Sequence, residues 1–223
     1  MPLSQLPGAG EPSVLRAAAV DEFHQQYYDD RRRTWNNTYW MGHLVCKAVT
    51  DLWVYQELVT SIRPTAIIET GSAFGGSALF LASLCDLNGQ GRVISVDVKP
   101  PPPVEHARIT WLTGSSVAPG IVAAVQQFVH EQAEGQVMVI LDSDHRYDHV
   151  LREMVAYAPL VTSGSYMIVE DTNINGRPVR PEFGPGPAEA VAAFLPDHPE
   201  FAVDPDCEKF LFTFNPGGYL RRA

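Results

Sequence analysis

From Ala66 onward, short apolar runs alternate with segments of helical periodicity, and this alternation constrains the fold more than any other feature of the chain. The runs are AIIE (66–69), RVISVD (92–97), ITWL (109–112), QVMVILD (136–142) and SYMIVED (165–171). Between them, apolar residues recur at helical spacing from about Ser77 to Leu87, Gly120 to Glu131 and Arg146 to Tyr157. Strands without polar alternation need cover on both faces, and strands separated by helices run parallel, so the pattern predicts a doubly wound α/β sheet. Ligands of such a sheet sit at the carboxyl ends of its strands.

The flanks differ. Residues 1–13 are rich in Pro and Gly and read as a flexible N-terminus. Two helices, from Val14 to about Arg33 and from Thr50 to Ile62, form an N-terminal extension or lid (14–63) ahead of the main domain (64–223), the second stopping at Arg63-Pro64. Near the other end, a helix from about Ala188 to Leu195 precedes FAVD (201–204) and KFLFTF (209–214). The connection Pro205 to Glu208 is so short that these two strands must be antiparallel. The loop Thr172 to Pro187, with four Pro and three Gly, is long enough for a functional lid.

Charge narrows the partners. Sixteen Lys+Arg against 26 Asp+Glu give a net charge of −10, a field that repels nucleic-acid phosphates and anionic membranes. The basic run Arg31-Arg32-Arg33 is too short to track a groove and reads as a solvated helix end. Cys46, Cys85 and Cys207 form no CxxC pair, which suits a reducing compartment. No secretory leader pattern and no long apolar span are visible, so a soluble cytoplasmic protein is expected.

Chemistry concentrates where strands end. Glu69-Thr70-Gly71-Ser72-Ala73-Phe74-Gly75-Gly76-Ser77 lies where the first strand of the domain turns into a helix, and its glycines let backbone approach a ligand. A dinucleotide site favours GxGxxG, which lays pyrophosphate on the helix N-terminus; this stretch reads GxxxGG and begins with an acid. A carboxylate at Glu69 repels pyrophosphate but suits a sulfonium with an α-amino group. Asp97, ending the next strand, is placed to accept from both ribose hydroxyls. Together these favour S-adenosylmethionine over NAD, with a glycine turn that only packs as the alternative. Ser115 and Ser116 after the third strand fit adenosine contact or a helix N-cap.

A second constellation places Asp142 at one strand end and Glu170-Asp171 at the next. Adjacent parallel strands lie about 4.8 Å apart, so three mutually repelling carboxylates meet at one rim. A hard divalent ion such as Mg²⁺ relieves the repulsion; capping by Asp142 and a turn at Asp171 are the alternatives. Asp144 reads most simply as an N-cap, followed by a buried stripe of Val150, Leu151, Met154 and Val155. His145, beside Asp142, is the candidate proton acceptor, held neutral by the helix N-terminus, whereas His149 reads as inert. Trp35, Tyr39 and Trp40, with Asn36 and Asn37, suit a sugar or polycyclic acceptor, or pack the helices onto the domain.

The strings ETGSAFGGSALFLASL, GRVISVDV, GSS, VILDSDHRYDHVLREM, YAPLVTSGSYMIVEDT and NPGGYLRR resemble the cephalosporin hydroxylase / rhamnosyl O-methyltransferase family from about Trp35 to the C-terminus. The resemblance implies a class I methyltransferase fold whose terminal hairpin completes a seven-stranded sheet. It implies S-adenosylmethionine at Glu69, Gly71, Ser72, Gly75, Gly76, Ser77, Asp97, Ser115, Ser116 and Asp142, and Mg²⁺ held by Asp142, Glu170 and Asp171. The expected partner is a small acceptor, a deoxysugar or polycyclic natural product of specialised metabolism, contacted by Trp35, Tyr39, Trp40 and His145, and a homo-oligomer is expected. The family commonly has an uncharged residue where this chain has Asp144, leaving capping and metal contact both open there. Two rivals remain: an iron hydroxylase using Asp142 and His145, disfavoured by the wealth of carboxylates, and a cofactor-binding module without turnover.

Overall fold

A computed structural model describes residues 14–132 and 134–223; the flexible stretch expected at 1–13 lies outside them. Helix α1 (Val14–Asp29) leads through a hairpin of β1 (Tyr39–Trp40) and β2 (His43–Leu44) to α2 (Val49–Ile62). The alternating part follows as β3 (Ala66–Thr70), α3 (Gly76–Asn88), β4 (Arg92–Asp97), β5 (Ile109–Thr113), α4 (Pro119–His130), β6 (Val137–Leu141), α5 (Tyr147–Tyr157) and β7 (Tyr166–Val169). The chain ends with α6 (Pro187–Phe194), β8 (Phe201–Val203) and β9 (Tyr219–Arg222).

Seven strands form one sheet in the order β5-β4-β3-β6-β7-β9-β8. Its first five are parallel, and β9 runs antiparallel to both β7 and β8. Successive residues of β3 enter opposite cores: Ile68 joins the layer under α4, α5 and α6, and Ile67 the layer under α2 and α3. Burial of both faces explains the uninterrupted apolar runs, and the observed sheet is the doubly wound seven-stranded arrangement expected. Strand order reverses between β3 and β6, the switch point at which this architecture opens a crevice. Helix boundaries follow local chemistry. Arg63, at φ +51° before Pro64, ends α2 by donating its N–H to the Val59 carbonyl, and Gly89 at φ +71° ends α3.

Three details differ from the sequence expectation. KFLFTF (209–214) is not a strand: its alternation reflects Phe212 and Phe214, which are buried against Tyr27, Tyr28 and Trp35 and dock α1, while Leu211 at φ +64° breaks the extended backbone. The strand that completes the sheet is β9, whose register sets Val203 opposite Leu220. Asp144 does not cap α5; Arg146 holds that position, and Asp144 Oδ1 accepts from the Arg146 N–H at 3.1 Å in a turn before the helix. The buried face of α5 is Val150, Glu153, Met154 and Tyr157, and Val155 points to solvent.

No helix among the described residues is long and apolar enough to cross a membrane. All three cysteines are free thiols.

Candidate active site

The turn after β3 is built so that two strand ends touch. Gly71, at φ +91°, donates its N–H to the Val96 carbonyl at 2.7 Å, and a Cβ there would lie 1.8 Å from the carbonyl oxygen of Asp142. Only glycine permits this approach. The contact opens a cavity of about 450 Å³ across the ends of β3, β4, β5 and β6, lined by Gly71, Asp97, Ser115, Ser116, Asp142 and His149 among others. Asp97 Oδ2 accepts from the Ala73 N–H and Oδ1 from the Lys99 N–H, both at 2.9 Å, which fixes its carboxylate at the cavity wall.

Glu69 lies beneath this turn, fully buried. Its Oε2 accepts from Ser95 at 2.5 Å, Ser95 in turn meets Ser72 at 2.7 Å, and its Oε1 has no hydrogen-bond partner among the described residues. Burial raises its carboxyl above the usual range. Gly75 and Gly76 face protein, with Cβ positions that would strike Pro102 and the Leu44 carbonyl, and Ser77 is buried beside them. These residues shape the turn from behind, whereas Gly71, Asp97, Ser115 and Ser116 line the cavity.

Strands β6 and β7 pair directly, Leu141 opposite Val169, so Asp142, Glu170 and Asp171 share one rim as expected. Asp171, at φ +54°, brings its carboxylate to His145, with Nε2 3.1 Å from Asp171 Oδ2 and 3.9 Å from Asp142 Oδ1. One donor atom from each of Asp142, His145 and Asp171 lies within 4.8 Å of the others, spacing that suits a metal ion. Glu170 stands apart from that trio. Its Oε1 accepts from the buried ammonium of Lys47 and, at 2.7 Å, from Tyr55 Oη. Lys47 Nζ also reaches Asp142 Oδ2 at 2.6 Å, so Asp142 turns one oxygen to Lys47 and the other to the His145 side.

This clustering sets the protonation landscape. Burial opposes charge on Lys47, but Asp142, Glu170 and Glu69 outweigh it and hold the amine protonated above its ordinary range. Burial and the charge of Asp142 push Glu170 up to about 7. His145 feels burial against its imidazolium form, yet Asp171, Asp142 and Glu170 raise it above its ordinary value. The helix N-terminus expected to keep it neutral is a smaller influence than two adjacent carboxylates.

The aromatic cluster does something other than line the cavity. Trp35 donates its indole N–H to the Tyr28 carbonyl, stacks on Tyr28 and meets Phe214 edge-on, and Trp40 donates to Ser83 while meeting Phe80 edge-on, so both fasten the N-terminal segment to the domain. Tyr39 is exposed.

A family model for rhamnosyl O-methyltransferase/CmcI matches residues 32–223. The chain belongs to this family. The rhamnosyl O-methyltransferase of Mycobacterium leprae (strain TN) is 41% identical over 209 residues, covering 91% of this chain and 90% of that protein. Its counterpart in Mycobacterium tuberculosis (strain ATCC 25618 / H37Rv) is 39% identical over 212 residues, covering 92% and 85%. Among solved structures, CmcI-N160 without ligand superposes with a TM-score of 0.64 at 22% identity, over 84% of this chain and 77% of that one. CmcI-D160 with Mg and SAM gives 0.62 at 22% identity over the same shares. At that identity the likeness speaks for the fold, which is that of class I methyltransferases. As a member of the rhamnosyl O-methyltransferase/CmcI family, the chain is an S-adenosylmethionine-dependent O-methyltransferase.

Sequence reasoning missed the layer behind the rim of this family member. Asp51 Oδ2 accepts from the Phe214 N–H and Oδ1 from Tyr219 Oη; Asn215 donates to Tyr55 Oη at 3.2 Å and accepts from the Asp171 N–H at 3.0 Å. This buried network ties α2 and the segment before β9 to the two acids after β7. Its one signal in the sequence was the polar set Lys47, Asp51 and Tyr55, recurring every four residues from just before α2 into its middle.

Proposed function

We propose that this chain moves a methyl group from S-adenosylmethionine to a sugar hydroxyl, the acceptor being a rhamnosyl or related deoxysugar unit of a larger molecule, with Mg²⁺ as the second cofactor. The observation that carries the reading is a cavity sized for a nucleoside that ends at Asp142, the residue that also belongs to the trio with His145 and Asp171. The 41% identity to a rhamnosyl O-methyltransferase supports the acceptor class. A specialised-metabolism acceptor such as a glycosylated antibiotic is one form of it.

The residues fit both cofactors. Asp97 keeps lone pairs for ribose hydroxyls at the cavity wall, and Glu69, fully buried beneath the turn, supports that wall from behind. Asp142 and Asp171, with Glu170 beside them, would hold Mg²⁺, an oxygen-preferring ion. Bound there, it would make an acceptor hydroxyl more acidic and offset the negative field that favours the imidazolium form of His145. Methyl transfer from a sulfonium is an in-line displacement, so the chain's own task is alignment. Gly71 brings the cavity wall against Asp142, Lys47 fixes which oxygen of Asp142 faces the reaction side, and His145, in its neutral form, accepts the hydroxyl proton. Trp35 and Trp40, which fasten the extension, shape the acceptor side without presenting their indole N–H groups to it.

The test is transfer of labelled methyl from S-adenosylmethionine to a rhamnosyl glycoside, with EDTA and with restored Mg²⁺. Turnover that stops with EDTA, returns with Mg²⁺ and falls about 10² to 10⁴-fold in His145→Ala supports the reading. Full turnover in EDTA, or restoration only by Fe²⁺ with oxygen consumption, rejects it.

A further inference from the structure

A second polar cluster lies at the other end of the cavity, and the chemistry above leaves it unused. Cavity and sheet order fix its place: the trio of Asp142, His145 and Asp171 sits at the ends of β6 and β7, whereas Ser116 follows β5, three strands from β6. His149, in the first turn of α5, lines the cavity there and turns Nε2 to Ser116 Oγ at 3.1 Å, with Glu153 Oε1 at 3.6 Å. Glu153 is 1% exposed, accepts from Ser143 Oγ at 2.7 Å, and has no partner for its Oε2 among the described residues. Ser116 is itself pinned, its carbonyl accepting from Tyr157 Oη at 2.7 Å.

A buried carboxylate accepts hydrogen bonds and cannot donate them, so beside Glu153 the favoured tautomer carries its proton on Nε2. Nδ1 is then an acceptor on a ring fixed in place. The methyl end of the cofactor belongs at Asp142 and the ribose at Asp97, which leaves the Ser116 and His149 end for the base. At C6 adenine carries an amine, a pure donor, where guanine and hypoxanthine carry an oxygen that accepts. Resting on the function proposed above, we infer that His149 is a specificity residue that accepts a hydrogen bond from the adenine amine, with Glu153 as the residue that positions it. The cavity then distinguishes an adenosyl ligand from one with an oxygen at that position, which would set two acceptors against each other.

Calorimetric titration of the purified protein with S-adenosylhomocysteine and with S-inosylhomocysteine tests this. The wild-type chain should prefer the adenosyl ligand by about tenfold, the worth of one hydrogen bond and its loss. His149→Ala should bind the inosyl ligand about as well as the wild type and lose the preference to within about twofold; Glu153→Gln, with His149 still present, should weaken it. Equal affinity of the wild type for the two ligands overturns the inference without any variant, and so does a full preference retained in a His149→Ala protein that melts like the wild type. Failure of the wild type to bind either ligand overturns the proposed function itself, which separates the two conclusions.

Discussion

His24 offers a stability test of how α1 is fastened over the rim. The ring is 4% exposed, lies parallel to Phe214 at a centroid distance of 5.6 Å, meets Phe212 edge-on, and has Nε2 2.8 Å from Asn173 Nδ2, two residues beyond Asp171. Burial pushes it down from 6.5 to about 4 against the opposing pull of Asp21 and Asp171. The folded state therefore holds His24 neutral in a range where the unfolded chain takes up a proton. Between those two values the unfolded state binds more protons, so stability falls as pH drops from 6.5 toward 4. Linkage gives a loss of about 2 kcal/mol by pH 5 and about 3 kcal/mol below both values. Asp51 works in the opposite sense: burial raises it to about 7, the folded state binds its proton more readily, and it adds stability as pH falls. A wild-type profile alone mixes the two, and a variant separates them. His24→Gln cannot titrate and keeps an amide for Asn173, while Asp51 titrates in both chains. Urea unfolding at pH 8 and pH 5 should show the wild type losing about 2 kcal/mol more than His24→Gln over that interval. Equal losses in the two chains would refute a neutral His24 clamp.

Two further outcomes follow from the rim. Lys47→Met leaves Asp142 and Glu170 without their shared ammonium; breaking so buried a pair should cost about 3–5 kcal/mol in metal-free protein. Mn²⁺ should then raise its melting temperature more than that of the wild type, and a variant that melts as the wild type does without metal would show that the lysine is not holding the acids. Gly71→Ala drives a Cβ into the Asp142 carbonyl, so the backbone carrying Asp142 must move. Calorimetry should show S-adenosylhomocysteine and Mn²⁺ affinities both falling by at least about tenfold, and a loss confined to one ligand would mean that the two sites are not coupled through this contact.

How much of this was legible depended on whether a residue's role is local. Runs such as VMVIL and AIIET announce buried parallel strands because both faces are covered, and strand ends carry ligands for topological reasons, so Asp97, Asp142, Glu170 and Asp171 were visible in order. KFLFTF misled because alternate burial is all that a sequence shows. Phe212 and Phe214 are buried against a helix from the far end of the chain and not against a neighbouring strand, a distinction no local period carries. Lys47 was hidden for the same reason in a stronger form. It lies 95 residues from Asp142 and 123 from Glu170, and only closure of the sheet brings the three together. The charge argument correctly saw three acids that cannot sit together uncompensated, and it assigned all of the compensation to a metal ion. The fold supplies one positive charge of its own. With that ammonium on one oxygen each of Asp142 and Glu170, the rim is already assembled without an ion, and the second oxygen of Asp142 is left on the His145 side.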